Sequence, residues 1–457
     1  MQKYKIGAAA LLSAFLGATG TGQAESLADA MVLALKASPE LKIGRANVKV
    51  LGERAYQARA GGRINVEGTV SITSQFFDLE EWRFPTVLQL DVTQPLYTGG
   101  QVENATKAAE IRITAEGARL VATEQTILLR AVTAYLDVRR DQTLISLAKN
   151  NVRVINEQLR AARERFDVGE VTRTDVAQAE ARLAAAKSAL AARQGQLQSS
   201  REAYKRVIGK YPTKLDPPPP LPDLPKDVEE AIKISLRDDP SIVSARLERR
   251  AASTDVKTAI GGLLPRVSIL GQVRNQDTLN VRRDATSSAS VGIQIVIPFY
   301  DGGTTYSRVR EAQAFVEARA GDVTTAMRDA IQNVGIAWSD LTVAGATIRS
   351  GQLQVKAARI AFDGVREEAK VGARTTLDVL DAEQELLNAR GDLVSAQRDR
   401  YVAAYNLLFS VGKLTADHLG LDLGNKETVS GYYAAIKDRN FGYDKTDDTV
   451  WSLTHRP

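Results

Sequence analysis

The sequence predicts a mixed α and β membrane protein, in which three chains form a transmembrane β-barrel of twelve strands that continues into an α-barrel of twelve helices. Each chain is an internal duplication that supplies four strands and long, coiled-coil-like helical hairpins. Three observations lead to this prediction. The chain repeats itself, its long proline-free tracts have a seven-residue hydrophobic period, and four segments beside those tracts alternate between apolar and polar residues.

The duplication covers most of the chain, because residues 27–211 recur as residues 228–413. The same short motif follows the second predicted strand of each copy and marks the junction between strand and helix. Its residues are Pro95, Gly99 and Gly100 in the first copy and Pro298, Gly302 and Gly303 in the second. Agreement over gapless stretches indicates a tandem duplication rather than an array of many short repeats.

The first 24 residues have the pattern of a secretory signal peptide. Lys3 and Lys5 precede an apolar run, and small residues lead to Ala24, where we expect cleavage. The run is too short for a membrane helix, which needs about 20 apolar residues. The sequence contains no cysteine, so we expect an exported chain without disulfides or a lipid anchor.

Because proline breaks helices, the positions of the 14 prolines divide the chain. All of them lie outside two tracts, 96–211 and 299–456, which can therefore be helical over great lengths. A cluster of prolines between these tracts indicates a stiff, extended connector. The predicted parts are a signal peptide, 1–24; a first repeat, 25–211; a connector, 212–226; a second repeat, 227–412; and a C-terminal region, 413–457.

Each proline-free tract predicts a pair of long helices. In the first tract, apolar residues recur at every seventh position. They are Ala131, Val138, Ile145, Val152, Leu159 and Phe166, and the second copy repeats the series from Val334 to Ala369. A sustained seven-residue period is typical of coiled-coil packing. Gly169 and Gly372 interrupt the tracts where a tight reversal is easy, so each copy is predicted to form a helical hairpin.

Four segments alternate between apolar and polar side chains. They are 65–75, 86–96, 267–273 and 291–297. Such segments are typical of strands in an outer-membrane barrel, although they also occur in antiparallel sheets on soluble cores. The barrel is favoured because the chain is exported and a very long helix follows each pair. The tips between paired strands, 76–85 and 275–289, are expected to face the exterior.

Four strands cannot close a barrel, and open sheet edges are not tolerated in lipid. The sequence therefore predicts an oligomer. Three chains with four strands each would give twelve strands, an even number that suits a barrel wall. We expect a homotrimer that builds one pore and contacts the lipid of the outer membrane.

Two motifs resemble those of the TolC family of outer-membrane channels, and the resemblance spans about residues 26–412. One is the junction motif with its paired glycines. The other is the hairpin turn, which runs from Arg165 to Val176 in the first copy and from Gly372 to Ala382 in the second. The resemblance implies a barrel in the outer membrane and a helical tube that extends into the periplasm. The region 413–457 is expected to join a belt around the tube or to be disordered.

The resemblance also implies a function and partners. The chain would be the exit duct of a tripartite efflux pump or a type I secretion system, and it would conduct substrates passively. Its partners would be a periplasmic adaptor, also called a membrane fusion protein, and an inner-membrane transporter of the ABC or RND type. An alternative is that the chain is itself a periplasmic adaptor or a coiled-coil scaffold, but an adaptor would need a single hairpin flanked by compact β domains.

In this family the periplasmic end of the tube is an iris built from the hairpin turns. The resemblance implies that Asp378 and Asp381 form carboxylate rings that narrow the pore. It implies that Arg374 ties the inner hairpin to a neighbour, and that Thr174 and Asp175 receive such ties. Asp175 also stands where a helix-capping role is expected. One departure is Ala369, which replaces a tyrosine of the family and removes one link to the outer hairpin.

The composition excludes several other classes. The net charge is only +5 and no basic block is present, so the sequence gives no reason to expect nucleic acid as a partner. The two histidines, His418 and His455, both lie in the C-terminal region, and no nucleophile or phosphate-binding motif is found. We therefore expect no enzymatic activity, no cofactor and no metal.

Overall fold

The computed structural model of the chain describes residues 25–77, 81–279, 285–423 and 429–438. The predicted signal peptide lies outside the described residues. So do residues 78–80 and 280–284, which belong to the two predicted tips between paired strands. His455 also lies outside the described residues. No helix in the described ranges has a segment long and apolar enough to cross a membrane.

The two copies fold with the same order of elements, apart from a pair of three-residue strands that only the first contains among the described residues. The first contains α1 Leu27–Ala37, α2 Pro39–Ala60, β1 Asn65–Ile72, β2 Gln75–Phe77, β3 Glu81–Arg83, β4 Pro85–Tyr97, α3 Gln101–Asp167 and α4 Arg173–Ile208. The second contains α5 Val228–Asp238, α6 Pro240–Gly261, β5 Arg266–Thr278, β6 Thr286–Val296, α7 Thr304–Lys370 and α8 Thr376–Ser410. A last helix, α9, spans Val429–Ile436. Both α3 and α7 have 67 residues, as the proline-free tracts predict.

The four predicted strands form one antiparallel sheet in the order β1-β4-β5-β6. Its register places apolar side chains opposite one another, as in the pairs Val70–Leu88, Leu90–Val273 and Ile269–Ile293. Since side chains alternate between faces, one face is apolar across all four strands and the other is polar. On the polar face, the Gln272 side chain donates a hydrogen bond of 2.9 Å to Asp91. The predicted strands are confirmed, and the additional hairpin β2–β3 lies within the first tip, where the sequence predicts only a loop.

The junctions between strand and helix depend on paired glycines. Gly99 and Gly100 have φ values of 66° and 76°, which glycine adopts without a steric penalty. A side chain at Gly99 would also collide with the protein, because a Cβ there would lie 2.4 Å from the Gly261 carbonyl oxygen. Gly302 has a similar φ of 69°, but a Cβ there would meet no atom within 4 Å. The first junction is therefore packed within the chain, whereas the second is open.

The helices of one chain form an arc that is four helices wide. Helices α2 and α4 pack along α3, and α6 and α8 pack between α3 and α7. A Cβ built at Gly209, the cap after α4, would lie 3.2 Å from the Ala37 side chain at the end of α1. Thus α2 continues the line of α4 along the same partner helix. One border of the arc is formed by α2 and α4, and the other by α7.

A belt of short segments surrounds the arc near the middle of α3. The Tyr135 hydroxyl lies between two backbone carbonyl oxygens, 2.9 Å from that of Glu25 and 2.7 Å from that of Asp216, and its one proton is shared between them. Burial raises the pKa of Tyr135 to about 12. The C-terminal region begins in this belt, where Leu414 is buried. Helix α9 packs elsewhere, on α2 and α3, where the Tyr433 hydroxyl lies 3.0 Å from Glu110.

Candidate gate at the helical tips

Each long hairpin reverses at a glycine in the left-handed region. Gly169 has a φ of 84° and Gly372 has a φ of 78°, as the sequence predicts for tight turns. The backbone amide of Glu170 donates to the Arg165 carbonyl at 2.8 Å, and that of Ala373 donates to the Glu368 carbonyl at 3.0 Å. These bonds satisfy carbonyls that would otherwise be free at a helix end. The two turns are therefore built in the same way.

A capping box begins the second helix of each hairpin. Thr172 and Asp175 exchange hydrogen bonds at the start of α4, with the Thr172 amide 2.8 Å from the Asp175 carboxylate. Thr375 and Asp378 do the same at the start of α8, where the corresponding distance is 2.9 Å. The bonds from Thr375 lower the pKa of Asp378 below its ordinary value. Both carboxylates thus have a capping role, beside any role in a gate. Thr174 is the exposed second residue of α4.

Asp381 connects the two hairpins of the chain. Its carboxylate lies 2.5 Å from the guanidinium group of Arg182 on α4. Both side chains are about half exposed, so the pair contributes at most about 1 kcal/mol. Asp378 and Asp381 are three residues apart and lie on neighbouring positions of one helical face. The second Asp of the predicted ring is therefore also a link to the outer hairpin.

Arg374 forms its contact within its own hairpin in the single chain. Its Nε donates to the Glu368 carboxylate at 3.0 Å, and both side chains are exposed. Ala369, beside this pair, is half-buried. Two features would require contacts between chains: the tie from Arg374 to another copy and the ring of Asp378 and Asp381. Both stay predictions.

Apolar packing joins the hairpins just above the turns. Leu380 on α8 is buried in a cluster with Ile155 and Leu159 of α3 and with Leu183 of α4. A further buried residue on α8, Glu383, is 8% exposed, and its Oε2 accepts no hydrogen bond from the described residues. Sequence reasoning does not single out Arg182 or Glu383, since both resemble ordinary surface charges of a long helix. In the described part of the chain, no group of His, Asp or Glu is placed to hold a metal ion.

Comparisons with known proteins identify the family. The model of a protein family described as outer membrane efflux protein matches the chain twice, over residues 30–210 and 231–413. The chain belongs to the outer membrane efflux protein family. Each match covers one copy of the duplication, from the short helices to the end of the hairpin.

Relatives of this family resemble the chain over most of its length. The chain is 35% identical to the outer membrane efflux protein BepC of Brucella suis biovar 1 (strain 1330) over 449 residues, which cover 97% of the chain and 98% of BepC. It is 24% identical to the outer membrane protein TolC of Escherichia coli (strain K12), with coverage of 88% and 85%. The resemblance to the TolC family is thereby confirmed.

A solved structure shares the fold. The outer membrane protein VceC of Vibrio cholerae superposes with a TM-score of 0.72 at 22% identity, over 84% of this chain and 96% of VceC. This chain therefore has the same overall fold as VceC. As a member of the family, this chain is an outer membrane protein that extends into the periplasm and serves as an exit channel for efflux or secretion.

Proposed function

We propose that three copies of this chain assemble into a single gated duct from the periplasm to the exterior. The observation that carries the proposal is that each chain has two different free borders. One border contains β1, α2 and α4, and the other contains β6 and α7. Because the borders differ, copies join head to tail, and such contacts close into a ring when the rotation allows it.

The sheet makes assembly necessary. Its apolar face is exposed along both edge strands, with Val66 and Val70 on β1 and Val291 and Ile293 on β6 between 57% and 85% exposed. An apolar face suits lipid, but the unpaired backbone groups of an edge strand do not. Pairing β6 of one copy with β1 of the next removes both edges. Three chains give twelve strands, which is within the range of barrels that leave a channel.

The helical borders complement each other in size. Seven large apolar residues of α7 are exposed: Tyr306, Phe315, Ile331, Ile336, Val343, Leu353 and Ile360. Helix α4 exposes no large apolar residue, and between its exposed charged and glutamine side chains it presents a series of small ones: Ala177, Ala181, Ala184, Ala185, Ala189, Ala191 and Ala192. Large side chains from one helix fit the shallow spaces between small residues on another. Contact between α7 and α4 of the next copy would close the tube.

Asp378 and Asp381 are the proposed constriction. Six carboxylates around a threefold axis at the periplasmic tips would attract cations and repel one another. Arg374, Thr174 and Asp175 are the proposed ties between hairpins of adjoining copies. The known contacts of Asp378 and Asp381 leave one oxygen of each carboxylate without a described hydrogen bond, and these oxygens are available to face the axis.

Because a passive conduit needs no pocket that recognises its substrate, we assign substrate selection to the partners of the duct. These are a periplasmic adaptor at the helical tube and an inner-membrane transporter of the ABC or RND type. The alternative of an adaptor or a coiled-coil scaffold does not explain an apolar sheet face that is exposed across four strands. A lipid-facing wall does explain it.

Recordings from planar bilayers test this proposal. The purified channel should conduct, and multivalent cations added from the periplasmic side should block it. The double variant Asp378→Asn/Asp381→Asn should remain trimeric and lose the block. Asp392→Asn is the matched control, because this exposed aspartate lies on the same helix but away from the tips. An unchanged block in the double variant would show that the narrowest ring lies elsewhere.

A further inference from the structure

A buried acid lies where the two hairpins of the chain meet. Glu383 on α8 and Asn151 on α3 are 8% and 6% exposed. Each has a side-chain oxygen that accepts no hydrogen bond from the described residues, Oε2 of Glu383 and Oδ1 of Asn151. Both residues line one cleft of about 360 Å³ between α3, α7 and α8. Buried acceptors without donors destabilise a fold, so this pair needs an explanation.

The charged groups around the cleft do not supply a partner for Glu383. They are Arg153 and Glu157 on α3, Arg359, Asp363 and Arg366 on α7, and Arg390 on α8, and α4 contributes no lining residue. Arg153 pairs with Glu157 at 2.9 Å, and Arg366 lies over the Phe362 ring at 5.7 Å. Burial therefore dominates, and it raises the pKa of Glu383 from the usual 4.5 to about 7, although Arg153 and Arg390 act in the opposite direction.

The proton is the cation that fits this cleft. Four arginines line the cleft and would repel a metal cation, whereas a proton binds directly to the carboxylate and needs no other ligand. A protonated carboxyl group is a donor, and the Asn151 Oδ1 that lines the same cleft is an acceptor without a donor. Protonation thus removes a buried charge and provides a donor at the same time.

The first copy shows how the same residues behave when the acid is ionised. At an offset of 203 residues, Glu180 corresponds to Glu383 and Arg163 corresponds to Arg366. Glu180 and Arg163 are exposed and form an ion pair of 2.5 Å. In the second copy the equivalent pair is not formed, because Glu383 is buried against α3. If α8 moves away from α3, an ionised Glu383 gains the solvent exposure that Glu180 has in the first copy.

We propose that Glu383 is a proton-operated latch between the two hairpins, which holds α8 against α3 when protonated and favours their separation when ionised. The proposal rests on the gate described above. Glu383 lies two residues beyond Asp381 and one turn from Leu380, whose side chain is buried between the hairpins. Separation at Glu383 therefore moves the proposed constriction. The residue acts by positioning α8 and does not itself line the ring.

The pH dependence follows from the raised pKa. Between about pH 4.5 and pH 7 the packed state binds more protons than the separated state, so its stability falls as the pH rises. The stabilisation of the packed state by the proton is fully present below this pH window and is lost above it. Within one chain the bonds from Thr375 shift the pKa of Asp378 in the opposite direction, below its ordinary value. The two groups are distinguished by the variants described below, which remove one and keep the other.

The test is the resting conductance of the intact trimer in planar bilayers at about pH 5 and about pH 8. The native channel should open more often at the higher pH, by at least about tenfold, since each unit of pKa shift is a factor of ten. Glu383→Gln, which is neutral at both values and similar in shape, should stay at the low conductance. Glu385→Gln, an exposed neighbour on the same helix, should keep the native response.

A second variant guards against a folding defect in Glu383→Gln. Asn151→Asp places another acid in the cleft and should move the midpoint of the response to higher pH. A native pH response in Glu383→Gln, or an unmoved midpoint in Asn151→Asp, overturns the latch. If cation block at Asp378 and Asp381 persists in that case, the gate itself stands. Loss of both block and pH response in the native channel would count against the gate.

Discussion

Helices α3 and α7 have the same length and come from the same ancestral segment, yet they differ in burial. Nineteen residues of α3 are buried, whereas seven residues of α7 are. Only Phe166 is a large exposed apolar residue on α3, compared with seven such residues on α7. The difference arises because α3 has neighbours on both sides within the chain, while α7 forms a border of the arc. Within the single chain, the second copy therefore leaves one face of its long helix uncovered.

The largest effect should come from charges on the border face of α7. Val343→Glu together with Leu353→Glu would bury two unpaired carboxylates between copies, which costs several kcal/mol. We expect the trimer fraction in detergent to fall by at least about 100-fold, as each 1.4 kcal/mol is a factor of ten. Gln352→Glu is the matched control, since this exposed position is already polar. A trimer that survives the double variant would show that α7 is not at the interface.

The edge strand β6, which belongs to the exposed border of the second copy, can be tested in the same way. Ile293→Arg would place a charge on the apolar face, and an arginine near the middle of a barrel wall costs about 2–4 kcal/mol. The free energy of unfolding in lipid vesicles should fall by this amount. Ser290→Arg lies on the polar face of the same strand and should change it little. Equal losses in both variants would contradict the assignment of the two faces.

Substitutions at Gly99 and Gly302 compare the junction of the first copy with that of the second. Gly99→Ala should destabilise the channel through the left-handed φ, about 1–2 kcal/mol, and through collision with Gly261. Within one chain Gly302→Ala meets only the first of these costs. If a neighbouring copy covers the second junction, however, both variants should be equally harmful in the trimer. Thermal denaturation of the assembled channel measures this, and a clearly milder Gly302→Ala would argue that the second junction stays open.

The smallest effect concerns the ties at the tips. If Arg374 contacts a neighbouring copy, Arg374→Ser should raise the resting conductance slightly, because an exposed ion pair contributes about 0–1 kcal/mol. Glu368→Gln removes only the contact within the hairpin and is the control. Similar conductance in the two variants would indicate that Arg374 serves its own turn alone. A larger opening should require removal of Asp175 as well.

Much of this fold follows from the sequence because it depends on periodicity and on glycine and proline. The 67-residue helices follow from proline-free heptads, and Gly169 and Gly372 mark the turns. Pro95 is a partial exception, since β4 continues through it with an irregularity in register between Pro95 and Tyr97. The hairpin β2–β3 was not predictable, because strands of three residues are too short to show a period.

The candidate gate is less accessible to sequence reasoning. Motifs identify Asp378 and Asp381, but the partner of Asp381 is Arg182, which is 199 residues away. Glu383 illustrates the limit further, because Glu180 occupies the same position in the first copy. The residue type is identical and only the burial differs. Burial depends on which helix packs alongside, and no local pattern encodes that.

The number of chains in the assembled particle tests the central claim most directly. Native mass measurement of the purified protein in detergent should give three copies, because three sheets of four strands and three arcs of four helices complete the barrel and the tube. Crosslinking should trap the same species, with contacts between α7 of one copy and α4 of the next. A stable, monodisperse monomer that inserts into bilayers and conducts would contradict this account.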